Sequence, residues 1–151
     1  LHCGGLAHVL KDCYLSMGFK ARHISGLPKK YIGECHSINV VYSNTLDKWI
    51  WVDPTNNAWV MDENGIMLSV QEVRERLRDG RPVILNEEAN WNNLQKITKE
   101  YYLDSYMAKN LYSIKADDVL LCPSDPNAEN FFQAKYVVND DAWFWQSPYQ
   151  E

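Results

Sequence analysis

Leu6, Val9, Leu10, Cys13 and Met17 recur at intervals of three and four, the spacing that lines one face of a helix, and Gly18 follows as a natural left-handed terminator. This spacing predicts a buried amphipathic helix from residue 3 to about 17, opening on Cys3-Gly4-Gly5. Two glycines start a helix poorly, but they leave room for a second backbone or a ligand to come close. From Lys20 to Ser25 the pattern alternates and then stops at Gly26-Leu27-Pro28, which predicts a strand followed by a loop carrying Lys29, Lys30 and Gly33. Two more strands are expected, from about His36 to Ser43 and from Trp49 to Asp53, the latter halted by Pro54, which cannot donate to a ladder.

The polar-ended stretch Asn44-Thr45-Leu46-Asp47 joins those strands as a hairpin connection. Pairing Val40 with Trp49 and Ile38 with Trp51 sets His36 opposite Asp53 on one face. A slip of one residue would send the two to opposite faces.

Farther along, Trp59-Val60-Met61 and Ile66-Met67-Leu68 flank an Asn64-Gly65 turn and read as another hairpin. Ser69 and Glu72 form a capping box that opens a helix with Val70, Val73 and Leu77 on one face and Gly80 at its end. Residues 86–93 read as a long surface loop, and a helix is expected from about Leu94 to Tyr112. Beyond Pro123-Ser124-Asp125-Pro126 the chain is aromatic and strand-like, from Ala134 to Val138 and from Ala142 to Trp145, which suits core or edge packing. The sequence holds no repeat and no low-complexity segment.

At 151 residues, with 46% hydrophobic and 13% aromatic content, the chain suits one domain, 1–151, with a substantial core. Its net charge is -5, and its basic residues are scattered apart from Lys29-Lys30 and the run Arg74, Arg76, Arg78, Arg81. Nucleic acid and anionic membranes need a concentrated positive field, so neither is expected as the main partner. No run approaches the roughly 18 apolar residues that span a bilayer. The cysteines at 3, 13, 35 and 122 lack CxxC spacing, and a domain of this size does not need disulfides. The chain starts at Leu1 and so reads as part of a longer polypeptide lacking its N-terminal part. A signal peptide ahead of it would imply a cell-envelope or secreted protein; the compartment stays open.

The chemistry concentrates in three residues. A thiol attacks only as thiolate, and a helix N-terminus favours that negative charge, which is where Cys3 is expected. Such a nucleophile needs a histidine to take its proton and a carboxylate to hold the histidine's tautomer. His36 and Asp53, facing one another on a hairpin, would supply both. Taken singly, a buried cysteine, a core histidine and an Asp-Pro turn are ordinary. Their order, helix-start cysteine, strand-start histidine and strand-end aspartate, is what points to catalysis.

That order resembles the transglutaminase-like superfamily. The resemblance rests on Cys3-Gly4, the helix to Gly18, Gly18-Phe19-Lys20-Ala21-Arg22 with Gly26, His36 opening a strand, and Trp51-Val52-Asp53-Pro54-Thr55, within about residues 2–57. It implies an α+β fold with a papain-like core: the nucleophile's helix packed on an antiparallel sheet, with further helices and strands in a C-terminal extension, 58–151. Position by position it implies Cys3, His36 and Asp53 as the catalytic triad, with Arg22 in a supporting role and no cofactor. Ile38 stands where the family often has an aromatic residue. The family's second oxyanion donor usually lies upstream of the cysteine, while the Cys3 N–H would supply the first.

The expected activity is acyl transfer on an amide of a protein or peptide substrate through a thioester, with hydrolysis preferred to amine transfer because no lysine-binding acceptor site is evident. A second reading is a non-catalytic scaffold domain that keeps the fold. A third is a zinc site built from Cys3, Cys35, His36 and Asp53, which lacks the paired spacing of zinc modules. Cys35 neighbours His36 on the strand and should point away from it. His23 suits packing or hydrogen bonding, His2 is placed to line the site, Cys13 reads as core, and Cys122 stands alone before Pro123.

Overall fold

The computed structural model describes residues 2–30, 33–117, 135–138 and 147–149. In chain order its elements are α1 (Cys3–Ser16), β1 (Ala21–Leu27), β2 (His36–Ser43), β3 (Lys48–Val52), β4 (Val60–Met61), α2 (Val70–Asp79), β5 (Ile84–Leu85), β6 (Asn90–Trp91), β7 (Gln95–Lys96), a π-helix (Glu100–Met107), α3 (Ala108–Asn110), β8 (Ser113–Asp117) and β9 (Lys135–Val138). The fold is α+β. Five strands form one antiparallel sheet in the order β3-β2-β1-β8-β9. The expected strand at 142–145 and Cys122 lie outside the described residues.

Strand β2 is buried at all but its last residue, because both of its faces are covered. His36, Ile38, Val40 and Tyr42 face one way, and the last three join Trp49, Trp51, Val60, Leu68, Tyr102 and Leu103 in the main core. Ser37, Asn39 and Val41 face the other way, toward α1. There the buried Asn39 side chain donates to the Ala7 carbonyl at 2.9 Å and the Arg22 carbonyl at 3.3 Å, pinning helix to sheet. Arg22 itself turns to the core face, where its guanidinium lies 4.7 Å from the Trp49 ring centre.

This anchoring corrects the expected face of α1. The helix buries Ala7 and Lys11, whereas Val9 is 54% and Met17 70% exposed, and Cys13 is exposed rather than core. The small Ala7 lets the helix approach Asn39, and that contact outweighs the apolar stripe in setting its rotation. Gly18 ends the turn at φ 86°, as expected.

The hairpin register also differs from expectation. Val40 pairs with Trp51 and Tyr42 with Trp49, a slip of two residues. The connection is four residues long, with Asp47 at φ 51° and the Ser43 hydroxyl accepting from the Leu46 N–H, so it absorbs two residues that a tighter turn would place in the ladder. A shift of two preserves facing, so His36 and Asp53 still share a side.

Helix α2 follows its sequence signals. Ser69 accepts from the Glu72 N–H, the Glu72 side chain accepts from the Ser69 N–H, and Gly80 is left-handed. The Asn64-Gly65 hairpin appears as a Met61–Met67 bridge, while β4 pairs with β5. The expected loop and long helix between residues 86 and 112 are revised. Asn92 and Asn93, at φ 51° and 60°, close a tight β6–β7 hairpin, and helical structure begins only at Glu100.

Candidate active site

The π-helix is an uncommon element, and it sits where the sheet's two catalytic candidates converge. Its C-terminal end is fixed by Gly26: a Cβ there would collide with the Asn110 carbonyl oxygen, so only glycine admits α3 this close to β1. Gly26 is also the register partner of His36. The close approach therefore brings Tyr102 and Tyr106 down onto the start of β2.

His36 opens β2 and is buried, and its Nε2 lies 2.7 Å from Asp53 Oδ2. Asp53 follows β3 and is held by a two-way backbone bridge to Ala58. Its carboxylate is fully buried and richly satisfied. Oδ1 accepts from the Thr55 and Asn56 N–H groups at 2.9 and 3.2 Å, and Oδ2 accepts from Tyr102 Oη at 2.6 Å and Asn56 Nδ2 at 2.9 Å. Trp51 Nε1 donates to the Tyr102 hydroxyl at 3.2 Å, extending the network into the core. Tyr106 meets the His36 ring edge-on, with centres 5.3 Å apart.

Burial is the largest influence on Asp53 and opposes its charge, yet His36 and the donors from His36, Tyr102 and Asn56 outweigh it and hold the carboxyl below its usual range. Burial likewise opposes charge on His36, but the Asp53 charge and hydrogen bond, with a further bond to Cys3, push it up to about 9. The Cys3 thiol is lowered to about 7, first by the hydrogen bond from His36, with burial opposing and the N–H groups of Ser37 and Gly4 assisting. With Asp53 on Nε2, Nδ1 is the ring nitrogen left for the thiol. Burial first, then the Asp53 charge, raises the Tyr102 hydroxyl well above its usual value, so it stays a donor.

His2 caps α1 by accepting from the Gly5 N–H through Nδ1, and it lines the site as expected. A cleft of about 840 Å³ opens over Cys3 and His36, walled by Thr55, Asn56, the β6–β7 hairpin and the three tyrosines 101, 102 and 106. Cys35 is exposed, and among the described residues no three His, Cys, Asp or Glu side chains are grouped to hold a metal, so the set Cys3, Cys35, His36 and Asp53 is not assembled as ligands. His23 packs against His8, with ring centres 4.2 Å apart and planes tilted by 34°.

Sequence reasoning missed Tyr102, Tyr106, Asn56 and Asn39. For Tyr102 one signal existed: Trp51 shares a strand face with Asp53, and a buried indole N–H needs an acceptor. Comparison of the chain with protein-family models, with curated proteins and with solved structures gives no match.

Proposed function

We propose that this chain is a thiol-dependent acyl-transfer enzyme, a transglutaminase-like cysteine hydrolase acting on an amide of a protein or peptide, with a papain-like arrangement of helix and sheet. One observation carries the reading: the buried 2.7 Å His36–Asp53 pair, with His36 lining the same open cleft as the helix-start Cys3.

Cys3 thiolate attacks the amide carbonyl carbon, forming the C–S bond and moving the carbonyl electrons onto oxygen. The Cys3 N–H lies in the first turn, outside the intrahelical ladder, and is one donor for that oxyanion. As the C–N bond breaks, the His36 imidazolium gives its proton to the departing amine. Water then loses a proton to His36, attacks the thioester, and releases the carboxylic acid with Cys3 again a thiolate beside protonated His36. Asp53 holds the ring and stabilises its positive charge throughout. Among the described residues no Asp or Glu lines the cleft to receive a lysine acceptor, which favours water as the second nucleophile.

The test is acylation by 4-nitrophenyl acetate followed by peptide mass spectrometry. The acetyl group is expected on Cys3 and is expected to be lost with His36→Ala. Acetylation spread over the exposed cysteines, or unchanged by His36→Ala, would favour a scaffold domain instead.

A further inference from the structure

The wall of the cleft opposite the sheet is aromatic and open to water. Trp91 is 47% and Tyr101 61% exposed, and both line the cavity. Tyr101 lies parallel to Tyr106 at 7° and 6.4 Å between centres, and Tyr106 meets His36 edge-on, so ring faces step outward from the triad. Exposed aromatic area gathered at one concave place marks a binding surface far more often than scattered apolar residues do.

This wall is built onto the triad. The β6–β7 hairpin lies outside the main sheet, and its backbone is tied at two points to the loop behind Asp53: Asn90 N–H to the Asn56 carbonyl at 2.8 Å and Asn92 N–H to the Thr55 carbonyl at 3.0 Å. The same Asn56 donates to Asp53 through its side chain and its N–H. Trp91 is thereby fixed relative to the reacting atoms. Among the described residues Lys96 is the one lysine or arginine in the lining, and no aspartate or glutamate is there.

We infer that Trp91, Tyr101 and Tyr106 form the acyl-group subsite and that it takes a planar aromatic substituent, neutral or anionic, in preference to small aliphatic or cationic groups. This inference rests on the proposed acyl transfer, since it names the acyl side of that reaction. A flat ring covers the exposed faces of Trp91 and Tyr101, which an acetyl-sized group leaves wet, and aromatic pairs add attraction beyond area. Lys96 opposes a cation and tolerates a carboxylate.

Binding to the Cys3→Ala protein separates the subsite from the chemistry. Calorimetric titration with 3-phenylpropanoate, butanoate and 3-phenylpropylamine is expected to show the aromatic acid binding at least about 10-fold more tightly than either of the others, the scale of discrimination that hydrophobic contacts give. Trp91→Ala and Tyr101→Ala, each in that background, are expected to remove the preference. Trp91→Phe is expected to retain most of it. Leu94→Ala, on the same hairpin at 76% exposure but outside the lining, is expected to leave it unchanged. Equal affinity for the two acids, tighter binding of the amine, or a preference that survives both alanine variants would overturn the subsite. In the parent protein, failure of 4-nitrophenyl acetate and 4-nitrophenyl 3-phenylpropanoate alike to acylate Cys3, with the binding preference intact, would overturn the acyl-transfer reading and leave an aromatic-binding cleft.

Discussion

The Tyr102 hydroxyl donates to Asp53 Oδ2 at 2.6 Å, and that same oxygen meets His36 Nε2 at 2.7 Å. One oxygen of the carboxylate that orients the histidine is therefore shared between His36 and a tyrosine 49 positions downstream of Asp53. Tyr102 draws charge away from the oxygen facing His36. Because the pair is buried, no bulk water takes over that role.

Tyr102→Phe removes that donor and takes the acceptor from the Trp51 indole N–H. We expect a stability loss of about 1–3 kcal/mol by denaturant unfolding, the penalty of a buried polar group left unpaired. A purely structural tyrosine would change nothing else. Here Asp53 regains charge toward His36, so the imidazolium holds its proton to higher pH and the basic limb of amide hydrolysis moves upward.

The shifts on Cys3 and His36 fix the sign of the pH dependence. Lowering the thiol to about 7 makes thiolate appear as pH rises through that value, and raising His36 to about 9 keeps the imidazolium until pH passes it. Amide hydrolysis, which uses thiolate and imidazolium together, is expected to give a bell-shaped kcat/KM with limbs near those two values, each belonging to the coupled pair. A profile that peaks in acid would contradict the assignment.

Gly26→Ala drives a methyl group into the Asn110 carbonyl. Overpacking of this kind costs about 1–3 kcal/mol. The displaced π-helix carries Tyr102 and Tyr106 away from the triad, so slower Cys3 alkylation at neutral pH is expected along with a lower unfolding midpoint.

Asn39→Ala cuts α1 from the sheet at Ala7, with an expected loss of about 1–3 kcal/mol and slower Cys3 alkylation. Ser69→Ala breaks the α2 capping box at a cost of about 1 kcal/mol, with Cys3 reactivity unchanged. The contrast between the two variants separates loss of stability from loss of positioning.

What the sequence made legible was local. The α2 boundaries follow from Ser69, Glu72 and Gly80 because a cap is decided within one turn. The facing of His36 and Asp53 survived a two-residue register error because side chains alternate with period two. The rotation of α1 was not legible: it depends on Asn39 reaching Ala7 across 32 positions, while the apolar stripe through Val9 and Met17 points to solvent. Nor was the start of the π-helix, since the β6–β7 hairpin takes up Leu94, Gln95 and Lys96, whose composition also suits a helix.

The most direct test of the central claim is the pH dependence of alkylation at each cysteine, read by peptide mass spectrometry for the parent protein and for His36→Ala. The account predicts that Cys3 reacts as thiolate with an apparent pKa of about 7 and that His36→Ala moves this value upward and slows the reaction at neutral pH. A Cys3 that titrates near the ordinary thiol value of about 8.5, unchanged by the loss of His36, would contradict it.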